Sequence, residues 1–191
     1  MINYRLGTTL VAGMALTLIA ATPLRTALTL QPESRIWVSG KSSVKDFKCE
    51  AKAIDANVSS PPQQKDLGLP KLVSDAEIAI TVAGLECGNG TMNGHMRKAL
   101  KIGEFPRIVF KLSNYAVTGG DIIVNGNLTM AGKSLPVELK GKVTDGDGVV
   151  RSTATADIDM TKWGVKPPSL MLGTMKVKPV ATIGYDIAMK R

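Results

Sequence analysis

GGDIIVNGNLTMAGKSLPVELKGKVTDGDG, residues 119–148, is the stretch whose reading decides the fold. Gly119-Gly120-Asp121 opens a segment with Val124, Leu128 and Met130 in phase, and Ala131-Gly132-Lys133 turns it into a second with Leu135, Val137, Leu139 and Val143 in phase. Apolar residues at every second position mark strands with one dry and one wet face. Asp145-Gly146-Asp147-Gly148 is a strong hairpin signal, and it leads into a third strand from Val150 to Met160.

The same period runs outward from this meander. Upstream, Arg35–Ser39, Ser43–Val58, Asp75–Gly84 and Arg107–Val117 alternate, the last with Ile108, Phe110 and Leu112 together. Downstream, Val177–Met189 sets Ala181, Ile183, Tyr185, Ile187 and Met189 on one face. Eight strands joined mostly by short turns predict an all-β fold, an antiparallel sheet closed into a barrel. Such a barrel has an interior just wide enough to be filled by side chains or to hold one small ligand. Mid-strand Gly126, Gly141 and Gly184, with Ala51, Ala154 and Ala156, leave room inside; the alternative is that the glycines relieve bending at corners.

One segment breaks the pattern. From Thr91 to Ile102, Met92, Met96, Ala99 and Leu100 recur at spacings of three and four, while Arg97, Lys98 and Lys101 face away, the signature of an amphipathic helix. Asn93 or Thr91 is the expected cap, and Gly103 with Pro106 the expected stop. A Met-rich face on an inserted helix makes it a lid for the barrel mouth. A second interruption, Ser59–Leu72, is polar and punctuated by Pro61-Pro62 and Gly68-Leu69-Pro70.

The N-terminus reads as an export signal. Arg5 supplies the positive charge, Leu6–Thr22 carries none, and Ala20-Ala21 is the small pair expected before cleavage. The reading assigns residues 1–27 to the leader and 28–191 to the barrel, with cleavage after Ala21 the favoured site. An uncleaved anchor is the alternative, because the uncharged run approaches the roughly 17 to 20 residues a spanning helix needs. Export implies an oxidising compartment and makes a disulfide the simplest reading of Cys49 and Cys87; two free buried thiols are the other reading.

The 191-residue chain has a formal charge of +8, and removal of Arg5 and Arg25 with the leader leaves 22 basic against 16 acidic residues, about +6. The basic residues are dispersed and form no Arg-rich cluster among aromatics, so nucleic acid is not an expected partner. A solvated cationic exterior accounts for the charge, with transient contact to a membrane surface left open.

Catalytic motifs are missing from the sequence. His95 is the sole histidine, no GxSxG or HExxH occurs, and a nucleophile–base pair would have to use that one imidazole. Gly132-Lys133-Ser134 ends like a phosphate-binding loop, but Asn127 stands where the first glycine belongs. Asp145, Asp147, Asp157 and Asp159 lack the glycine and terminal glutamate of a calcium loop. His95 is read as a helix residue bonded to a nearby carbonyl, and no cofactor or metal is expected.

Several segments in order carry a resemblance: Ser-Val-Lys-Asp-Phe47, Met-Asn-Gly-His95-Met-Arg-Lys-Ala-Leu100, Phe105-Pro-Arg-Ile-Val-Phe110, Asn-Gly-Asn-Leu-Thr129-Met-Ala-Gly132-Lys-Ser-Leu-Pro-Val137 and Lys162-Trp-Gly164-Val. From Ser34 to Met189 the chain resembles the YceI-like family. The resemblance implies a lipocalin-like eight-stranded barrel with an inserted helix, export to the periplasm, and a polyisoprenoid or similar amphiphile bound inside. Met92-Asn93 stands where the family often has an Arg-Asp pair, and Pro167–Leu172 differs from the commoner form of that loop.

The combined expectation is a non-catalytic binding protein, monomer or homodimer, whose partner is a lipophilic small molecule, isoprenoid or quinone-like. Its expected ligand wall comprises Met96 and Leu100 from the lid, Phe105, Phe110 and Leu112 beside it, and Trp163 and Leu172 near the late loop. The rival expectation is a structural or stress-associated envelope protein with a filled barrel.

Overall fold

The computed structural model describes residues 26–61, 68–170 and 175–190. Residues 1–25 of the expected leader, and Leu172, lie outside these. Thirteen antiparallel strands and one α-helix make up the described fold. In chain order the strands are β1 (Thr26–Ala27), β2 (Thr29–Leu30), β3 (Arg35–Ser42), β4 (Phe47–Ala51), β5 (Asp55–Ser60), β6 (Asp75–Thr81) and β7 (Leu85–Glu86). The helix α1 (Gly90–Ala99) follows, then β8 (Arg107–Thr118), β9 (Asp121–Met130), β10 (Lys133–Gly146), β11 (Val149–Asp159), β12 (Ser169–Leu170) and β13 (Met175–Lys190).

The hairpins β8–β9, β9–β10 and β10–β11 turn through Gly119-Gly120, Ala131-Gly132 and Asp147-Gly148, where all six residues have positive φ. Positive φ at both central positions gives the turn whose twist matches that of its strands. The meander expected over residues 119–160 therefore forms with its expected turns. Along β9, Ile122, Val124, Gly126, Leu128 and Met130 are buried, with more exposed residues between them.

Two expected strands form in pieces. Ser43–Val58 is interrupted at residues 52–54 into β4 and β5, and Asp75–Gly84 ends at Thr81, where Val82–Gly84 makes a tight turn before β7. The interruptions face each other: β4 pairs β7, β5 pairs β6, and the Lys52 amide bridges to the Gly84 carbonyl at 2.9 Å. Because β3 pairs β13 and β4, and β6, β8, β9, β10, β11 and β13 follow in that order round the sheet, this two-part pairing closes the ring. Counted by wall position, β4/β5 and β6/β7 are one strand each. The barrel thus has the eight expected strands.

One end of the barrel is plugged. Thr26–Ala27 pair with Ser59 and Ser60, and Thr29–Leu30 with Met189 and Lys190, filling the gap that β3 does not reach. Between them Leu28 packs with Val58 and Leu72 in a small satellite core. The Tyr115 hydroxyl pins the adjoining segment by donating to the Leu69 carbonyl at 2.8 Å and accepting from the Val73 amide at 3.0 Å.

At the other end lies α1. Its cap is Asn89, whose side-chain oxygen accepts from the Met92 amide at 3.2 Å, rather than the expected Thr91 or Asn93. Nor does Gly103 stop it. The helix ends at Ala99, with Lys101 left-handed at φ 54° and its amide on the Lys98 carbonyl, while the Ile102 amide reaches back to Arg97. This closing pattern normally uses glycine; here lysine adopts it.

Cys49 on β4 and Cys87 just before α1 form the expected disulfide, and Cys49 is 1% exposed. It closes a loop of 39 residues, for which loop-closure entropy gives a ceiling of about 4 kcal/mol. Replacing both cysteines by serine is expected to lower the unfolding free energy by about 3 kcal/mol. The measurement is a urea titration, in which an unchanged midpoint would show that the bridge adds no stability.

Candidate functional site

The barrel encloses a cavity of about 690 Å³, within the range of small-molecule sites. Its wall is built from the inward-facing strand positions: Ile36 and Val38 of β3, Phe110 and Leu112 of β8, Val124 and Leu128 of β9, Ile183 and Tyr185 of β13. The period-two pattern delivers these residues to one face. The cavity reaches from the Leu28–Leu72 plug to the helix end of the barrel. Among the described lining residues only Lys45, Asn89 and Thr91 are exposed, all at the helix end, so that end is the mouth.

The helix covers this mouth with the expected face. Met92, Met96, Ala99 and Leu100 line the cavity, and His95 joins them. The expected carbonyl bond of His95 is not made: its ring has no hydrogen-bond partner among the described residues, because its place on α1 points it into the cavity. Below the helix, buried Asn93 accepts from the Cys87 amide at 2.8 Å and donates to Glu86. Glu86 also meets Arg97 at 3.1 Å and Lys52 at 3.4 Å. The Asn93 amide, helped by Lys52 and Arg97, holds the Glu86 carboxyl below its usual range. With the disulfide, this cluster fixes the start of the helix to the barrel rim.

Four of the expected ligand-wall residues, Met96, Leu100, Phe110 and Leu112, line the cavity. Phe105 and Trp163 do not. Phe105 lies over Gly132 in the β9–β10 turn, with the Lys101 ammonium 6.0 Å from its ring. Trp163 is 3% exposed and donates from Nε1 to the Leu128 carbonyl at 2.8 Å, which makes it part of the packed wall. Phe47 and Tyr185 line the cavity although the sequence reading did not select them. Both sat in recognised alternating strands, so phase alone could have found them.

Several of the glycines make room for aromatic rings. A side chain at Gly126 would overlap the Phe110 ring, one at Gly40 would come within 2.6 Å of Phe47, and one at Gly184 within 2.5 Å of Trp37. At Gly132 the Phe105 ring is 2.5 Å away on the same measure. Each of these glycines is a seat for an aromatic ring. Gly141 instead lets β10 approach the Thr153 carbonyl of β11.

Residues 31–189 match the sequence model of the YceI-like domain. The chain belongs to the YceI-like family. No curated protein matches it. Among solved structures, BcnA of Burkholderia cenocepacia superposes with a TM-score of 0.69 at 18% identity, covering 82% of this chain and 96% of that one. A Campylobacter jejuni YceI protein gives 0.61 at 15% identity over 78% and 87%. A polyisoprenoid-binding domain from Saccharophagus degradans, implicated in plant cell wall breakdown, gives 0.61 at 9% identity over 86% and 97%. At these identities the likeness concerns the YceI-like fold.

Inside this YceI-like barrel the Tyr185 hydroxyl pairs with Ser152 at 3.1 Å. Burial raises the Tyr185 hydroxyl above the ordinary tyrosine range, against the opposing pull of Ser152. The unfolded chain therefore releases this proton first, and stability falls as pH rises past about 10. Tyr185→Phe is expected to remove that part of the alkaline loss, and to lower stability near neutral pH by about 1 kcal/mol. Denaturant midpoints of both proteins against pH test this; parallel curves would exclude Tyr185 as the titrating group.

Proposed function

We propose that this protein is an exported, non-catalytic binding protein that sequesters or carries a lipophilic ligand in its barrel. The observation that carries the reading is the apolar cavity of about 690 Å³ beneath a Met-rich helix. Burial is the mechanism: each methylene taken from water contributes about 0.8 kcal/mol, so a prenyl or acyl tail needs few directional contacts. The family match, and a neighbour described as a polyisoprenoid-binding domain, support an isoprenoid, quinone or fatty-acid-like amphiphile as cargo.

Met96, Leu100, Phe110 and Leu112 are the residues we assign to the ligand wall, with Phe47 and Tyr185 added from the cavity lining. Export to the periplasm rests on the leader pattern and fits the disulfide. Cleavage after Ala21 would keep the β1 pairing with β5 in the mature chain. The open interior weighs against the rival reading of a filled structural barrel. Among the described residues no group of three or more His, Cys, Asp or Glu is placed to hold a metal ion.

Organic extracts of protein purified from its native envelope are expected to contain a stoichiometric lipid by mass spectrometry. Recovery of none, with no uptake of added isoprenoid, would sink the carrier reading. Leu112→Trp, which extends an inward side chain into the cavity, is expected to cut uptake at least tenfold. Equal uptake by a folded Leu112→Trp protein would place the ligand elsewhere.

A further inference from the structure

The cavity wall carries charge-bearing side chains at one end only. Among the described residues that line it there is no aspartate, glutamate or arginine; the two groups able to carry a positive charge are Lys45 and His95. Both lie at the mouth. Lys45 is in the turn between β3 and β4, four residues before Cys49, and His95 is on the helix that Cys87 tethers to that same strand. The polar lining residues Ser42, Asn89 and Thr91 belong to this end too.

The turn holding Lys45 is fixed on both sides. Ser42 Oγ accepts from the Lys45 amide at 3.0 Å and the Val44 amide at 3.2 Å, and donates to the Lys45 carbonyl at 2.7 Å. Next to it, the Ser43 amide donates to the Lys176 carbonyl at 3.0 Å, and Ser43 Oγ accepts from the Lys176 amide at 3.1 Å. Lys45 makes no ion pair among the described residues, whereas Lys48, Lys52, Arg97, Arg107, Lys140, Lys142 and Arg151 each have a carboxylate partner. His95 has no hydrogen-bond or ion-pair partner among the described residues either.

The opposite end is different in kind. Leu28, Val58, Leu72 and Met189 line it, and the Tyr115 hydroxyl there is already committed to Leu69 and Val73. Midway, the Tyr185 and Ser152 hydroxyls are bonded to each other. A polar head placed deep in the barrel would lose water and meet no charged group there, and at most the Ser152–Tyr185 hydroxyl pair. At the mouth it would meet a cation, an imidazole and solvent.

We infer that the cargo is an amphiphile with an anionic head, a carboxylate or phosphate, held at the mouth by Lys45 and His95 with its tail directed at the Leu28–Leu72 plug. The inference rests on the binding reading above and adds the head chemistry and the orientation. Charge-assisted hydrogen bonds to such a head are stronger than neutral ones, so the mouth selects among tails that the aliphatic wall would accept equally.

The test uses delipidated full-length mature protein and four probes: oleic acid and methyl oleate, geranylgeranyl monophosphate and geranylgeraniol. Wild type is expected to bind each anionic probe at least tenfold more tightly than its neutral partner by calorimetry. The Lys45→Gln, His95→Gln double variant is expected to reduce that ratio below threefold, while binding the neutral probes within twofold of wild type. Preference for the phosphate alone or the carboxylate alone names which anionic head fits. Equal binding of all four probes to wild type would overturn the head assignment and leave the carrier reading intact, and a ratio unchanged in the variant would remove Lys45 and His95 from it. Failure of every probe to bind would count against the carrier reading itself. Lys45→Glu gives an independent check: it is expected to turn the preference toward the neutral probes with the fold unchanged by circular dichroism.

Discussion

The Lys52 amide donates to the Gly84 carbonyl at 2.9 Å in the gap between two halves of one wall strand and two halves of its neighbour. On either side, Glu50 and Ala51 face Glu86 and Leu85, and Asp55–Ser59 face Asp75–Ala79. Without this junction the sheet would be open, with unpaired amide and carbonyl groups along two edges. With it, backbone pairing runs round the ring and an interior exists. The disulfide, the Asn93–Glu86 cluster and the start of the helix all gather within a few residues of this seam. The mouth and the closure of the barrel are thus one piece of construction.

The interior follows from strand number and side-chain size. Eight strands leave a space near the limit of what side chains fill, and a wall of Val, Ile, Leu and Met with few aromatics leaves part of it empty. The two ends then diverge. Leu28 and Leu72 shut one end with a core of their own, while the other is covered by a helix held at its start and carrying flexible methionines. On the outer face, pairs such as Lys142–Asp121 and Lys140–Glu138 are more than half exposed on at least one side, so they add little stability. Stability comes from the aliphatic wall and the hydrogen-bonded ring.

Much of this was legible in the sequence because the signals were local. Gly119-Gly120, Ala131-Gly132 and Asp147-Gly148 mark their turns by residue type, and the lining face of α1 follows from helical spacing. Legibility ends where a partner distant in sequence decides. The break in Ser43–Val58 answers a turn at Val82–Gly84 and cannot be read from either segment alone. Lys101 takes a conformation normally given to glycine, so the helix end was placed too late. Phe105 and Trp163 are large and apolar enough to suggest a ligand wall, yet one lies on a hairpin turn and the other is hydrogen-bonded into the wall. Leu172, beyond the described residues, has no position to compare.

The rings seated on glycines bear on how such a barrel can change over time. Phe110 on Gly126, Phe47 on Gly40 and Trp37 on Gly184 each join two positions that share one volume. A side chain gained at the glycine evicts the ring; a ring lost leaves a void. Substitution at either position alone is therefore penalised, and the two can change size only together. The bore of the barrel at Phe110–Gly126 and Phe47–Gly40 can therefore be altered only by two-residue changes, which leave its hydrogen-bonded frame the same.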